Sequence, residues 1–377
     1  MFSTSLRLGV AACAGALCVF SVLPASADTF GTGANAFTMD FVTVSAETNP
    51  TSGYGIVSND YRIGVYEVTT DQWNKFQTSL GVPVTGSMTT AYDSDAYWTG
   101  VNQPANNVSW YEMVQFVNWM NTSTGHHAAY NFTGSQGTGD YTFATWSAAE
   151  ADGGTNLYRH KDAVYYLPTE HEWMKAAYWN GTTLQTHATK PGETVFQGDG
   201  VSGTGWNYQL PGPWDVGSGS EELNGTYDMM GNIWEWMESP YADWTYGVFA
   251  HRPLRGGRYD GYLTYLSSDA RSTHNPDMEY PFIGFRIAAD VLLSALPGDF
   301  NGDQAVTGAD YVLWADHFGG DEGVLAAGTG NGDGTISGAD YVLWANNFGN
   351  TASATIPEPV TLSLLTGGAM AMLRRRR

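Results

Sequence analysis

Cysteine is nearly absent from the 377-residue sequence, which contains only Cys13 and Cys18. Both lie in the first 27 residues, where Arg7, an apolar run and a terminal Ala-Ser-Ala form the pattern of a secretory signal peptide. We therefore expect an exported mature chain that has no cysteine. That excludes disulfide bonds, a thiolate nucleophile and cysteine metal ligands.

Basic residues are also scarce, since Lys and Arg number 16 against 38 Asp and Glu, for a formal net charge of −22. Arg7 and Arg374 to Arg377 lie in the two terminal segments, so eleven basic residues remain between them. A body this acidic repels nucleic acid and anionic membranes, and it suits cation binding or an ion-rich exterior. The composition predicts no nucleic-acid partner.

Aromatic residues, by contrast, are abundant, with 14 Trp and 22 Tyr. One interpretation is a loop-rich core in which large rings fill the space between short elements. The other is a surface that stacks on carbohydrate or peptide. Composition alone leaves both interpretations open.

Three segments begin with a capping box, in which a Ser or Thr and a Gln or Glu three residues later satisfy the first helical N–H groups. The pairs are Thr69 with Gln72, Ser109 with Glu112, and Thr169 with Glu172, and Gly81 is placed to end the first helix. In the second helix, Met113, Phe116, Val117 and Met120 recur at helical spacing. This spacing predicts a buried face.

Residues 122–162 are rich in Gly, Ser, Thr, Asn and Asp and show no sustained period, which predicts a long loop or an insertion. His126 and His127 lie in it, either as a solvated pair or as metal ligands, although no third ligand is spaced around them. Further on, PLRGGRY and IGFRIAA resemble a pair of neighbouring strands.

The stretch NGTYDMMGNIWEWMESP, residues 224–240, places Asp228, Asn232 and Glu235 around Gly231. Oxygen ligands around a glycine bend are how proteins hold Ca²⁺. A tight turn leading into an ordinary core strand is the alternative. The stretch by itself does not decide between them.

Six motifs in order are YRIGVYEVTTDQWNKF, NNVSWYEMVQFVNWMN, YYLPTEHEWMKAAYW, NGTYDMMGNIWEW, LRGGRY and IGFRIA. Together they resemble the formylglycine-generating enzyme family, the sulfatase-modifying factor domain, over roughly residues 36–292. The resemblance implies an α+β fold of C-type-lectin-like architecture that is low in regular structure.

The resemblance also implies a structural calcium ion, held by the side chains of Asp228 and Glu235 and by the carbonyls of Gly231 and Ile233. A second calcium site of the family would begin at Asn207, but its downstream half is not recognisable here.

Enzymes of this family oxidise a substrate cysteine with copper held by two cysteines, which would follow Gly256-Gly257. That segment here contains none, so we expect neither copper nor a catalytic residue. A His-ligated iron branch of the superfamily carries an additional helical domain that has no counterpart here. A cleft walled by Trp234 and Arg271 would then bind a carbohydrate or peptide.

Residues 297–350 contain a repeat with a period of 30, and GADYVLWA is identical in both copies. Oxygen-bearing residues follow EF-hand spacing. The predicted ligands of the first loop are Asp299, Asn301, Asp303, Ala305 through its carbonyl, Thr307 and Asp310. Those of the second loop are Asn331, Asp333, Thr335 through its carbonyl, Ser337 and Asp340. The pair resembles a small α-helical dockerin type I domain, which implies calcium and a cohesin-like partner.

The dockerin resemblance is imperfect, because Gln304 replaces the usual glycine and Thr329 the usual first aspartate of the second loop. After it, residues 356–377 combine Pro357-Glu358-Pro359, a short apolar run and Arg374 to Arg377. They resemble a PEP-CTERM sorting signal, processed by an export protease, and a permanent tail anchor is the alternative. Both place the body outside the cytoplasm, secreted or at the cell surface.

Three functions remain at this stage. The first is a calcium-binding, exported binding or scaffold protein on a catalytically reduced fold. The second is an enzyme, either a formylglycine-generating oxidoreductase or a component of an extracellular polysaccharide-degrading system. The third is a structural protein of the cell surface.

Overall fold

The computed structural model describes residues 26–242, 245–291, 296–302, 305–326 and 329–351. The sorting signal predicted at residues 356–377 and the signal peptide up to residue 25 lie outside these ranges. In chain order the strands are β1 (Ser26–Phe30), β2 (Phe37–Val44), β3 (Tyr61–Gly64), β4 (Asn131–Thr133), β5 (Thr142–Ala144), β6 (Ala151–Asp152), β7 (Asn156–His160), β8 (Tyr165–Tyr166), β9 (Trp234–Trp236), β10 (Arg252–Arg255), β11 (Ser272–His274), β12 (Ile283–Gly284) and β13 (Ala288–Asp290). The helices are α1 (Thr70–Leu80), α2 (Trp110–Ser123), α3 (Glu170–Tyr178), α4 (Gly308–Asp316) and α5 (Gly338–Asn347), with 3-10 turns at Gly33–Asn35, Thr89–Ala91, Leu263–Leu266 and Glu322–Val324.

The capping boxes predicted for the first three helices are confirmed. The side chains of Thr69, Ser109 and Thr169 each accept a bond from the N–H three residues on, and the Gln or Glu side chain at that position accepts one from the N–H of the cap residue. Gly81 ends α1 with φ of 71°, in the left-handed region that glycine adopts without strain. These contacts lie within four residues, so the local sequence suffices to predict them.

Two sheets organise the large domain, and the mixed α+β prediction is confirmed. The first is antiparallel, in the order β1-β2-β3-β13-β8. The last strand of the large domain, β13, therefore lies between β3 and β8 and pairs with both. The second has the order β11-β10-β9-β12, with β9 and β12 parallel.

One prediction about strands is wrong. The strands β10 and β12 do not pair directly, because β9 lies between them and bonds to both. Of the two alternatives for segment 122–162, the long loop does not hold, since the segment contains the hairpins β4-β5 and β6-β7, and the insertion stays a prediction. Strands of two to five residues are too short to leave a readable period in the sequence.

The core is built on aromatic rings around α2, in which every residue from Trp110 to Asn121 is buried. The predicted apolar face is confirmed, and its central residue is Phe116, which is 0% exposed. The Phe116 ring lies 5.9 Å from Trp73 and 5.6 Å from Phe285, centroid to centroid. The first contact is stacked and the second is edge-on, and such contacts let large rings fill irregular gaps between short elements.

The two C-terminal helices are related by the internal repeat. The Trp314 indole donates to the Ser337 carbonyl at 2.7 Å, and the Trp344 indole donates to the Thr307 carbonyl at the same distance. The tryptophan of each repeat therefore bonds to the residue just before the helix of the other repeat. Phe300 lies in the small apolar core that both tryptophans contact. Among the described residues no helix is long and apolar enough to cross a membrane.

One fully buried ion pair joins the two sheets. Arg286, just before β13, bonds both oxygens of Glu235 on β9, with closest distances of 2.7 Å, and both residues are 0% exposed. Trp173 of α3 donates to the same carboxylate at 2.8 Å, and Arg286 also donates to the Gly64 carbonyl of β3 at 3.0 Å. The pair thus fixes α3 and both sheets against one another.

We predict that Arg286→Met lowers the free energy of unfolding by about 3–5 kcal/mol, because it leaves a carboxylate buried without its cation. Urea unfolding of the full chain measures the loss. Lys75→Met is the matched control, since Lys75 pairs with Asp71 at 2.7 Å on the surface of α1 and should lose less than about 1 kcal/mol. Similar small losses in both variants would contradict the role of the buried pair.

Candidate functional site

The stretch from Glu222 to Glu235, here called the acidic loop, is bent by left-handed backbone at four positions. These are Gly225, Asp228, Gly231 and Asn232, with φ of 81°, 62°, 91° and 56°. A Cβ atom on Gly231 would lie 2.1 Å from the Asn207 carbonyl oxygen, so only glycine fits there. The glycine bend predicted from the sequence is therefore present.

Asn232 is held at the centre of this bend by both ends of its amide. Its oxygen accepts from the Asn207 side chain and the Trp214 N–H, and its nitrogen donates to Glu67 at 2.6 Å. The other Glu67 oxygen accepts from the Ile233 N–H at 3.3 Å. Glu67 was not predicted from the sequence. It is a lone acid within the apolar run VYEV, and that pattern could have indicated a buried carboxylate.

Glu222 is the second buried acid that sequence reasoning missed. Its carboxylate accepts from the Trp206 indole and from the backbone N–H groups of Met229 and Met230, at 2.9–3.2 Å. The acidic loop is thus wrapped around a carboxylate that is 0% exposed. No helix cap or repeat marks this contact in the sequence.

The two side chains predicted to bind calcium are both buried in this loop. One Asp228 oxygen accepts from the Gly217 N–H at 2.7 Å, while Glu235 is bonded by Arg286 and Trp173 as described above. Among the described residues no three His, Cys, Asp or Glu side chains are placed to share a metal ion. Calcium here would therefore depend on the carbonyls of Gly231 and Ile233, as the resemblance implies.

Burial shapes the titration of these acids. It raises the pKa of Asp228 to about 6, against the opposing effects of the Gly217 N–H and Arg286. Burial, reinforced by Asp228, raises the pKa of Glu222 to about 8. Burial and the charges of Asp228 and Glu235 also raise the pKa of Glu67. The single guanidinium of Arg286 thus faces more carboxylates than its one positive charge can balance. A bound cation would reduce the repulsion among them.

The two predicted cleft residues, Trp234 and Arg271, line one cavity of about 800 Å³, here called the aromatic cleft. Its other walls come from the segment that follows Gly256-Gly257 and from the chain before β12. They are Arg258, Thr264, Tyr265, Ser267, Asp269, Ala270, Ser272, His274, Tyr280 and Phe282. Hydroxyl groups and aromatic rings therefore both line this open site.

Both arginines of the aromatic cleft are paired and stacked. Arg271 makes two bonds to Glu170, at 2.7 and 2.8 Å, and lies 3.9 Å from the centre of the Tyr241 ring. Arg258 pairs with Asp260 at 2.6 Å and lies 4.0 Å from the Phe282 ring centre. Their positions are fixed, because each guanidinium is held by a carboxylate and a ring.

A second cavity, of about 870 Å³, was not predicted from the sequence. At its wall Arg159 bonds Glu238 at 2.8 Å and Glu172 at 3.1 Å, and it lies over the Tyr166 ring. Glu170, the partner of Arg271, also lines this cavity. Residues far apart in sequence build it, which is why no motif marks it.

In the C-terminal repeats, the last acid of each loop is buried and holds its own loop closed. Asp310 accepts from the N–H groups of Asn301 and Thr307, at 3.0 and 2.7 Å. Asp340 accepts from those of Asn331 and Ser337 at the same distances.

The other predicted loop ligands differ in exposure. Asp299 is 4% exposed, whereas Asp333 is exposed and accepts from the Thr335 N–H. Ala305 pairs with Thr351 in an isolated bridge. Asp303 lies outside the described residues.

The His126–His127 pair is exposed. The ring of His127 stacks on that of His160 with centroids 3.6 Å apart and planes 11° apart. Nearly parallel rings direct their nitrogen lone pairs side by side rather than towards a common point. This arrangement favours the surface interpretation over shared metal binding.

We predict that Glu222→Gln weakens the pH dependence of stability in the presence of a chelator. The unfolded acid titrates near pH 4.3 and the folded one near pH 8, so the wild type loses stability as the pH rises through this range. Without that proton, the slope should shrink by up to about 1.4 kcal/mol per pH unit. Urea unfolding from pH 5 to pH 8 measures it.

The control is Glu221→Gln, which changes the neighbouring glutamate that pairs with Lys190 at the surface. It should leave the slope unchanged. A slope in Glu222→Gln equal to that of the wild type would show that Glu222 titrates normally in the folded chain. Absolute stability should also fall, because the new amide nitrogen faces N–H donors.

Comparison with known proteins gives relatives and a family. Hercynine oxygenase from Mycolicibacterium smegmatis is 24% identical over 248 residues, covering 61% of this chain and 53% of that protein. Hercynine oxygenase from Mycobacterium tuberculosis is 28% identical over 138 residues, covering 33% of this chain and 32% of that protein. The chain thus spans between about a third and about half of the length of these relatives.

Solved structures are similar over most of this chain. Treponema denticola variable protein 1 is 20% identical with a TM-score of 0.48, and the match covers 70% of this chain and 99% of that one. CarF is 22% identical with a TM-score of 0.47, covering 67% and 98%. Residues 29–291 match the family described as the sulfatase-modifying factor enzyme 1-like domain. The sequence motifs and this match agree, and the chain belongs to that family.

Proposed function

We propose that this chain is an exported, calcium-stabilised binding protein whose aromatic cleft takes a carbohydrate or peptide. One observation carries the proposal. The family resemblance places two copper-binding cysteines in the segment after Gly256-Gly257. In this chain that segment contains no cysteine, yet it still forms a wall of an open cleft. Without thiolates a soft copper site has no ligands there, whereas a binding surface needs none.

The composition of the cleft supports a binding role. Tyr265 is 41% exposed and packs 5.9 Å from Trp234, which is only 7% exposed, so the Tyr265 ring is the aromatic face open to a ligand and Trp234 supports it from behind. Hydroxyls of Thr264, Ser267 and Ser272 lie on the same walls. Aromatic faces with a few convergent polar groups are typical of ligand pockets, and sugars stack on such faces.

An enzyme is the competing function, since the curated relatives are named hercynine oxygenases. For this chain an oxygenase or oxidase reaction would need a metal cage or a nucleophile with a base. Among the described residues that line the aromatic cleft, His274 and Asp269 are the only histidine and carboxylate. This ligand set favours binding over metal-dependent oxidation.

Calcium has two places in the proposal. In the acidic loop, Asp228, Glu235 and the carbonyls of Gly231 and Ile233 would hold one ion. In the C-terminal repeats, each loop offers carboxylate, amide, hydroxyl and carbonyl oxygens, a donor set that suits a hard cation. There the ion would stiffen each loop around its buried last aspartate.

The C-terminal repeats would also dock a partner, a cohesin-like protein in our proposal. Each repeat presents the same apolar side chains to solvent. These are Tyr311, Val312 and Phe318 in one copy and Tyr341, Val342 and Phe348 in the other, all 40–60% exposed. With the terminal sorting signal, this arrangement would place the cleft outside the cytoplasm, secreted or at the cell surface.

We predict that a glycan and peptide screen of the full chain, with calcium and with chelator, finds a ligand that Tyr265→Ala weakens at least about tenfold. Tyr341→Ala is the matched control, because that ring is equally exposed, at 40%, but lies in the C-terminal repeats. It should leave binding unchanged. A silent screen in both conditions would favour a structural role at the cell surface.

We predict that Asp228→Ala lowers thermal stability in calcium but changes it little in chelator, because the variant removes a ligand of the proposed ion. Differential scanning calorimetry in both conditions gives the two shifts in Tm. Equal losses in calcium and chelator would mean that Asp228 serves only as a core turn residue.

A further inference from the structure

One buried cation lies outside the aromatic cleft and the proposed calcium loops. Arg252, the first residue of β10, is 0% exposed. The central carbon of its guanidinium is 4.2 Å from the centre of the Trp110 ring and 4.0 Å from the centre of the Tyr158 ring. Aromatic rings attract a cation, but they do not neutralise its charge.

Two of the three guanidinium nitrogens of Arg252 are unpartnered. Nη1 donates to the Ala250 carbonyl, whereas Nε and Nη2 are buried and bond to no atom of the described residues. The neighbouring Tyr158 hydroxyl is engaged with Gly247, because it donates to the carbonyl and accepts from the N–H of that residue, both at 3.0 Å. Buried donors in proteins are nearly always bonded, so these two nitrogens point to an acceptor that the described residues do not supply.

Other buried arginines of this protein show what the edge formed by Nε and Nη2 binds. Arg286 donates from both of these nitrogens to the Glu235 carboxylate, with closest distances of 2.7 Å. Arg159 donates from the same two nitrogens to the Glu238 carboxylate, at 3.1 and 2.8 Å. In both pairs one carboxylate accepts from the whole edge. The same edge of Arg252 therefore has the geometry of a carboxylate site.

The charge of Arg252 is also uncompensated. Burial lowers its pKa. Burial acts in the same direction on Arg159 and Arg286, but there the paired carboxylates outweigh it and raise the pKa. A guanidinium stays protonated even so, and a buried charge without a counter-charge is strongly unfavourable. Water would satisfy the N–H groups of Arg252 but would leave its charge unbalanced.

We propose that the Nε–Nη2 edge of Arg252 binds a carboxylate group that comes from outside this chain. Two parallel N–H groups match the two oxygens of a carboxylate, and one positive charge balances one negative charge. The buried position favours a small group of single charge over sulfate or phosphate, which are more costly to desolvate. The net charge of −22 opposes anions at a distance, but salt screens that effect, and the direct ion pair dominates at contact.

The test uses the full chain and carbon-13-labelled formate, the smallest carboxylate, at constant ionic strength. Binding should broaden the formate NMR line. Arg252→Met should abolish the broadening, and Arg252→Lys, which keeps the charge but not the two-nitrogen edge, should raise the apparent Kd at least about tenfold. The control is Lys190→Met, which removes a surface cation paired with Glu221 at 3.0 Å and should leave binding unchanged.

Thermal unfolding separates binding from loss of the fold. Formate should raise the Tm of the wild type and of Lys190→Met, because it binds only the folded chain, and it should leave the Tm of Arg252→Met unchanged. Without formate, Arg252→Met should still unfold cooperatively, since it removes a charge that has no counter-charge among the described residues. Equal line broadening and equal Tm shifts in Arg252→Met and the wild type would overturn the inference.

A pair of peptides identifies the source of the carboxylate. Tetra-alanine with a free C-terminal carboxylate should displace formate if the site takes the carboxylate of a larger ligand, and its C-terminal amide should not. Formate binding without displacement by either peptide would assign the site to small free carboxylates. An absence of formate binding to the wild type would overturn the inference.

One carboxylate of this chain also needs a control. Asp243 lies outside the described residues. Asp243→Asn should leave formate binding unchanged, because the proposed carboxylate comes from another molecule. Formate binding that is seen only in Asp243→Asn would show that the chain itself supplies the counter-charge of Arg252, and it would overturn the inference.

Discussion

The ion pair between Arg286 and Glu235 is the contact on which the large domain depends. Both groups are 0% exposed, and their bonds reach α3 through Trp173 and the antiparallel sheet through Gly64. Two buried charges are retained only where nearly every donor and acceptor is satisfied. The pair therefore fixes the relative positions of α3 and the two sheets by directional bonds, in addition to the apolar packing around it.

The acidic loop contains more buried acids than this one arginine can balance. Arg286 brings one positive charge to a region that also contains Glu67, Glu222 and Asp228, and burial raises the pKa of each of these acids. Backbone N–H groups stabilise part of the excess charge. The C-terminal loops meet the same problem near the surface, where N–H groups again orient the carboxylates. In both places, backbone N–H groups therefore bond to carboxylates that are buried or partly buried.

The parts of this structure that the sequence predicted are those set by near neighbours. Capping boxes, the glycine that ends α1 and the apolar face of α2 each depend on residues within one or two helical turns. The buried acids could not be predicted, because Glu67 meets Ile233 across more than 160 residues. The position of β9 between β10 and β12 could not be predicted either, because it depends on pairing between distant segments. Nor could the position of Glu170, which lies between the two cavities.

The charges around the aromatic cleft narrow what the proposed binding site would recognise. Arg258 pairs with Asp260, whereas Arg271 shares the single carboxylate of Glu170 with Arg255, which bonds the same oxygen at 2.8 Å. One positive charge is therefore left over near the cleft, and Asp269 on the same walls offsets it. An anionic ligand would gain little from such balanced groups and would face the repulsion of a chain with a net charge of −22. A ligand of the proposed site would thus be held mainly by stacking and hydroxyl hydrogen bonds, which favours an uncharged sugar over an acidic one.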